Sequence, residues 1–118
     1  MIKYDLSDPL CPTGQVLDMI SSKWVSLVLV SLSEGTKRYS ELQRDIPVVS
    51  HKMLTQSLRR LEDKGLIQRL VYAEVPPRVE YTLTEMGESL IPPLLSVLTW
   101  AEVHVDELNK TGSAVPRC

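Results

Sequence analysis

Four polar side chains at helical spacing carry the clearest chemistry in this sequence. Lys52, Thr55, Gln56 and Arg59 lie within residues 50–65. At about 100° per residue of an α-helix, they fall on one side. Ammonium, hydroxyl, amide and guanidinium groups can donate hydrogen bonds to phosphates and base edges. The alternative is the solvated polar face of an ordinary amphipathic helix.

Cys11 is the second candidate for chemistry. It precedes Pro12, a residue suited to the first position of a helix. The dipole of that helix would stabilise a thiolate and make it reactive toward oxidants or electrophiles. A small buried hydrophobe, the usual role of a lone free cysteine, is an equally weighted alternative. Cys118 lies at the far end of the chain, so neither a disulfide framework nor a Cys/His metal site is expected.

The stretch that holds the four polar residues has the start, the stop and the inner face of one helix. The Ser50 hydroxyl can cap its first turn, and Gly65 can adopt the left-handed conformation that ends it. Leu54, Leu58 and Leu61 recur at i, i+4 and i+7, which predicts a face turned toward a core. The polar residues then lie on the outside.

Three helices are predicted before this one. Pro12 opens a helix to about residue 21, and residues 22–34 form an apolar central helix. Ser40 and Gln43 have the spacing of a capping box and predict a short helix that ends near Asp45. This short helix, a tight turn and the donor-bearing helix make a helix-turn-helix.

After Gly65 the apolar period changes from helical toward two. Residues 66–72 and 78–83 predict two strands, and the loop between them carries Pro76 and Pro77. Because proline donates no backbone hydrogen bond, this loop suits a projecting tip rather than a sheet interior. The pattern indicates a hairpin whose tip forms a wing.

The C-terminal part predicts a long helix, capped by Thr84 or Thr82, in which Pro92 and Pro93 should cause a kink or a break. Its apolar face is larger than a small domain needs, which favours a two-fold homodimer. The residues expected in the dimer interface are Leu17, Leu94, Leu98, Trp100, Ala101 and Val105. Packing is the favoured role of Trp100 and His104, and a small-ligand pocket is the alternative.

Composition predicts one domain without a membrane span. The 118 residues are 43% hydrophobic, and we expect an N-terminal arm at 1–10, the domain at 11–108 and a flexible tail at 109–118. Residues 37–78 hold nine Lys and Arg against five Asp and Glu, so this segment has a net charge of +4. Because the whole chain has a net charge of −2, the remaining residues together carry −6. A positive middle indicates a polyanion-binding face. The sequence has no nucleophile elbow, no phosphate loop and no carboxylate pair in recognisable spacing, so we expect no enzyme, no cofactor and no metal. We also expect a cytoplasmic location.

Several motifs resemble one family. The CP pair followed by DMISSKW, then RYSEL, SHKMLTQSLRRLEDKGLIQR and VYAEVPPRVEYTLTEMG are similar to HxlR-type (DUF24) winged helix-turn-helix transcriptional regulators, relatives of the MarR group. The resemblance spans about residues 11–108; it departs at His51, where proline is frequent, and at the second proline, Pro93. It implies a mainly α fold with a small β-hairpin that dimerises through its N- and C-terminal helices.

The same resemblance implies a homodimeric repressor or activator bound to a pseudo-palindromic operator in double-stranded DNA. A redox, electrophile or small-molecule signal is also implied, since several members sense such signals through a cysteine at the position of Cys11. A winged-helix module that binds protein instead of DNA is the alternative.

Within this interpretation Gln56 and Arg59 are the best candidates to read bases. Arg60 could contact the DNA backbone or could pair with a residue of its own helix. Arg78, at the base of the wing, could reach a phosphate or the minor groove. The residues expected to contact DNA are Lys37, Arg38, Ser40, Ser50, His51, Lys52, Thr55, Gln56, Arg59, Arg60 and Arg78.

Overall fold

A computed structural model describes residues 5–110 as six helices and three short strands. The helices are α1 (Pro12–Ile20), α2 (Lys23–Leu32), α3 (Tyr39–Asp45), α4 (His51–Asp63), α5 (Glu85–Val103) and α6 (Val105–Asn109), and the strands are β1 (Lys37–Arg38), β2 (Ile67–Tyr72) and β3 (Arg78–Leu83). Within residues 5–110 no single helix is long and apolar enough to cross a membrane; α1 and α2 reach that length only as a pair bent by 84°. The architecture is a winged helix-turn-helix, as the sequence predicts.

The core forms around α2. Val25, Val28 and Leu29 of this helix are fully buried and belong to one cluster with Leu54 and Leu61 of α4. The leucine face of α4 therefore points inward, as its spacing predicts. Because this face is held by the core, the polar side of α4 has a fixed orientation on the surface.

The ends of α4 also match the prediction. The Ser50 hydroxyl accepts a hydrogen bond from the backbone N–H of Met53 at 3.1 Å. Gly65 has a φ of +74°, in the left-handed region where a side chain would be strained. The cap and the glycine fix the length of the helix.

The predicted capping box of α3 is wrong by two positions. Helix α3 begins at Tyr39, so Ser40 lies inside its first turn and Arg38 is the N-cap residue. The backbone N–H of Arg38 donates to the Glu41 carboxylate at 2.9 Å. The acidic group three residues after the cap makes this contact, and Gln43 is not needed for it.

The sheet has one more strand than the hairpin that the sequence predicts. Strands β2 and β3 pair antiparallel, with Ile67 opposite Leu83 and Tyr72 opposite Arg78. The two residues of β1 add to the other edge of β3, where Lys37 lies opposite Tyr81, and give the order β1–β3–β2. A two-residue strand is too short to show a period of two, so the pattern could not predict it.

The prolines do not break the terminal helix. Thr84 caps α5, accepting from the N–H of Gly87 at 3.1 Å, and the helix runs through both Pro92 and Pro93 to Val103. The carbonyl groups that lose their donors belong to exposed positions, where water can bond to them. The interruption comes instead at His104, which separates α5 from α6.

Candidate nucleic-acid interface

The first nine of the thirteen residues of α4 present hydrogen-bond donors to solvent. Lys52, Gln56 and Arg59 are exposed and Thr55 is half-buried. At about 100° per residue the three exposed side chains lie within about 60° of one another around the helix axis. The next residues on this side, Glu62 and Asp63 of the last turn, are acidic and exposed. The part of the helix suited to an anion therefore runs from its N-terminus to Arg59.

The start of α4 is tied to α3 through an aromatic pair. The Tyr39 hydroxyl lies 2.6 Å from Nδ1 of His51, and the two ring centroids are 5.3 Å apart. The Ser50 hydroxyl, next in the chain, is the acceptor in the helix cap. His51 and Ser50 thus lie at the N-terminus of the donor-bearing helix, with the angle between α3 and α4 held by Tyr39.

The sequence predicts a DNA contact for Lys37. In the structure its side chain is turned inward and its ammonium is already paired. Its Nζ donates to Ser31 Oγ at 3.1 Å, to Glu34 Oε1 at 2.8 Å, and to the Asp45 carboxylate; only 14% of the side chain is exposed. Burial alone would lower the pKa of Lys37, but the hydrogen bonds with Asp45 and Glu34 outweigh it and raise that pKa. The physical reason is β1, whose pairing with β3 directs this side chain toward α2 and α3.

Arg38 and Ser40 are exposed at the start of α3. They border a cleft whose other wall is the wing, residues 74–79. The Arg38 guanidinium lies 4.0 Å from the Glu80 carboxylate. Both residues thus lie on the side of the molecule that carries the wing.

Arg78, at the base of the wing, is already paired. Its guanidinium lies 3.4 Å from Glu74 and 3.6 Å from Glu80, and it covers the ring of Tyr72 at 4.2 Å from the ring centre. The side chain is 29% exposed, and its Nε is buried without a hydrogen bond. These contacts give Arg78 a role in the shape of the wing, while Val75, at its tip, is fully exposed.

Arg60 pairs with a residue of α1 and not with one of its own helix. It lies 3.8 Å from Asp18, a residue of α1. Its neighbour Lys64 also contacts α1, donating to Gln15 at 2.7 Å. This edge of α4 therefore faces α1, away from the side that carries Gln56.

Arg69 of β2 is a surface cation that the sequence argument did not select. It lines a cavity of about 300 Å³ together with Arg59. The other lining residues are Tyr39, Thr55, Leu58, Glu62 and Tyr81. The burial along β2 does not alternate, and Arg69 is exposed, so the period of the strand carried no signal for this cavity.

Cys11 occupies the N-cap position of α1, as predicted, but its thiol makes no capping hydrogen bond. It is 8% exposed. Residues 5–10 form turns beside it: the N–H of Cys11 donates to Asp8 O at 3.0 Å, and Gln15 Nε2 donates to Pro9 O at 2.8 Å. The thiol is buried, as expected of a small hydrophobic residue, and it also lies at the start of a helix, as expected of a reactive thiolate.

Helix α5 leaves a broad apolar surface exposed. The exposed apolar side chains of α1, α5 and α6 and of the residue before Cys11 are Leu10, Val16, Leu17, Met86, Leu95, Val97, Leu98, Trp100, Val103 and Leu108. Ala101 and Val105 are half-buried. Leu94 is 8% exposed and belongs to the hydrophobic core of the chain. The sequence places it in a dimer interface, but its side chain is already covered within the chain. Trp100 stacks on His104, with ring centroids 4.5 Å apart.

Comparison with known proteins identifies the class of regulator. The model of the HxlR-like helix-turn-helix family matches residues 19–109. An uncharacterized HTH-type transcriptional regulator of Methanothermobacter thermautotrophicus is 46% identical over 107 residues, which cover 91% of this chain and 82% of that protein. The regulator YkvN of Bacillus subtilis, also described as uncharacterized, is 48% identical over 95 residues, 80% of each chain.

Solved structures agree with the fold. The redox regulator HypR in its reduced form superposes with a TM-score of 0.78 at 40% identity, covering 85% of this chain and 99% of that chain. Diamide-treated YodB from B. subtilis gives a TM-score of 0.69 at 30% identity, covering 92% and 99%. These relatives are transcriptional regulators, and no enzyme family is indicated. The chain belongs to the HxlR-like helix-turn-helix family of transcriptional regulators.

Proposed function

We propose that this regulator binds a specific DNA operator through α4. The observation that carries the proposal is the fixed outward orientation of Lys52, Gln56 and Arg59 within the first nine residues of this helix. In helix-turn-helix proteins these positions of the second helix meet base edges in the major groove. Gln56 lies near the centre of the exposed side and can pair bidentately with adenine.

The wing and the start of α3 would contact the backbone on either side of that groove. Arg38 and Ser40 are exposed there, and their contacts would position the protein without reading sequence. A module that binds protein would need apolar or acidic groups on the outer side of α4. The donors Lys52, Gln56 and Arg59 on that side favour DNA over that alternative.

Electrophoretic mobility shift on the promoter of the chain's own gene or of an adjacent gene tests the proposal. Gln56→Ala should reduce operator affinity by about 1–3 kcal/mol and relax discrimination at one base position. Gln68→Ala, an exposed glutamine of β2, is the matched control and should bind as the wild type does. A wild-type protein that binds neither heparin nor duplex DNA would exclude the function.

We propose further that the active form is a two-fold homodimer built on α5 and α1. The exposed fractions of Leu17, Leu98 and Trp100 are 53%, 39% and 56%, and large apolar side chains left exposed on these helices support a protein–protein contact there. A two-fold axis would place two α4 helices in successive major grooves about 34 Å apart.

Sedimentation equilibrium tests the dimer. Leu98→Glu should give a monomer with weak operator binding, because a carboxylate would be desolvated in the interface. Val71→Glu changes an exposed apolar residue of β2, 58% exposed, and should remain dimeric. A wild type that is monomeric at micromolar concentration, with or without operator, would refute this arrangement.

We propose a thiol-based signal at Cys11. The supporting points are its position at the start of α1 and the likeness to HypR, described as a redox regulator. Diamide should change the operator affinity of the wild type and leave Cys11→Ser unaffected. Cys118→Ser is the control and should respond as the wild type does. An equal diamide response in Cys11→Ser would remove Cys11 from the signal.

A further inference from the structure

The cavity between α4 and the sheet is lined by two cations. Arg59 enters it from the exposed side of α4, and Arg69 enters it from β2. Both residues are exposed, so their guanidinium groups can be reached by an anion from solvent.

Neither guanidinium has an ion-pair partner in the part of the chain that the structure describes. The cations Lys37, Arg38, Arg60 and Arg78 all lie within 4.0 Å of a carboxylate, whereas within residues 5–110 no such contact is found for Arg59 or Arg69. Glu62 also lines the cavity, but it is not within that distance of either arginine. Two guanidiniums and one carboxylate leave the cavity with one net positive charge.

Apart from Glu62, the polar groups beside the two arginines are hydroxyls, which can donate hydrogen bonds. Tyr81 lies opposite Arg69 in the register of β2 and β3, and Thr55 lies one turn before Arg59 on α4. Hydroxyl groups of these residues and the planar forks of two arginines suit a group with several acceptor oxygens. A phosphate has this chemistry, and the cavity adjoins the outer side of α4 because Thr55 and Arg59 belong to both.

We propose that Arg59 and Arg69 hold one phosphate of the DNA backbone in this cavity. The inference rests on the proposed function and deepens it. It assigns Arg59 to backbone positioning, leaves base reading to Gln56, and adds Arg69 as a positioning residue. The clamp would set how deep α4 lies in the groove, since it joins the helix and the sheet to the same backbone group.

The test is binding to two duplexes, the operator and a random sequence, over a range of salt concentrations. Arg69→Ala and Arg59→Ala should each weaken binding to both duplexes by the same factor, about tenfold per protomer for a charge-assisted hydrogen bond and therefore about a hundredfold for the dimer. The double variant should lose less than the product of the two single losses, because both side chains act on one phosphate. The double variant should also reduce the slope of log affinity against log salt concentration. A dimer loses two phosphate contacts at about 0.9 each, so the slope should fall by about 1.8.

Arg69→Lys keeps the charge and should retain the slope while losing part of the affinity. Lys23→Ala removes one charge from α2, where the ammonium lies 5.4 Å from the ring centre of Trp24, and should leave binding unchanged. Circular dichroism of every variant separates loss of binding from loss of fold.

Three results would overturn the clamp. Arg69→Ala could bind both duplexes as the wild type does, or the single losses could multiply in the double variant, which would mean separate phosphates. Inorganic phosphate could stabilise the free wild type but not Arg69→Ala while DNA binding stays equal, which would assign the cavity to a free anion. In all three the wild type still binds DNA, so the proposed function stands; a wild type that binds no DNA removes both.

Discussion

Gly87→Ala should destabilise the protein although it improves helix propensity. Gly87 lies in the first turn of α5, where alanine would ordinarily stabilise the helix by about 1 kcal/mol. A Cβ atom at this position would lie 2.0 Å from the carbonyl oxygen of Leu66 and 3.2 Å from Cδ2 of Leu83. The oxygen would have to move by 1.4 Å to reach the 3.4 Å of ordinary contact. That oxygen also accepts from the N–H of Thr84 at 3.0 Å, so the movement weakens this hydrogen bond.

The net effect follows from these terms. Overpacking costs about 1–3 kcal/mol and the weakened hydrogen bond about 1 kcal/mol, against a propensity gain of about 1 kcal/mol. The free energy of unfolding should therefore fall by about 1–3 kcal/mol, which lowers Tm by about 4–12 °C in a domain of this size.

Urea and thermal unfolding at one fixed protein concentration measure this change, since a dimer would make Tm depend on concentration. Ser89→Ala alters an exposed residue of the same helix and should stay within about 0.5 kcal/mol of the wild type. If Gly87→Ala is as stable as the wild type or more stable, propensity dominates and the close approach of α5 to Leu66 is not a constraint.

Three further predictions concern the parts that support α4. Ser50→Ala should lower the free energy of unfolding by about 1 kcal/mol in urea, because Met53 loses the acceptor of its N–H. Hydrogen bonds with Lys37 and Ser31 lower the pKa of Asp45 below its usual value of 3.8. The ionised carboxylate therefore stabilises the fold above pH 3.8, and this stabilisation is lost as the pH falls through the lowered pKa. Unfolding of Asp45→Asn should thus be less sensitive to acid than that of the wild type; equal sensitivity would contradict the network. Arg78→Ala should weaken binding to all DNA sequences equally and change the salt slope by less than about one unit, because two carboxylates already balance its charge; a loss confined to one base pair would make it a base reader.

The sequence was most informative where the signal is local. Ser50 and Gly65 are a capping hydroxyl and a residue free to take positive φ, so the limits of α4 could be predicted from side-chain chemistry alone. The apolar spacing of Leu54, Leu58 and Leu61 likewise predicted the inner face of this helix. These features depend on neighbours within one or two turns.

Pairing between distant segments was not predictable in the same way. The sequence predicts a DNA contact for Lys37 and only a helix end for Asp45, and the fold alone joins the two through β1 and α3. The same holds for Arg60, whose partner Asp18 is on α1. Which cations remain available to an anion is therefore a property of the tertiary structure.

The outer face of α4 shows both kinds of information. The sequence alone determined that Lys52, Thr55, Gln56 and Arg59 share a side of one helix, because the period of an α-helix is fixed by its backbone. Only the folded chain decided that Arg59 lines a cavity with Arg69, since ten residues of sequence and a change from helix to strand separate them. Local periodicity carries no information about how an element packs against the next one, and that packing decides which cations face the same group.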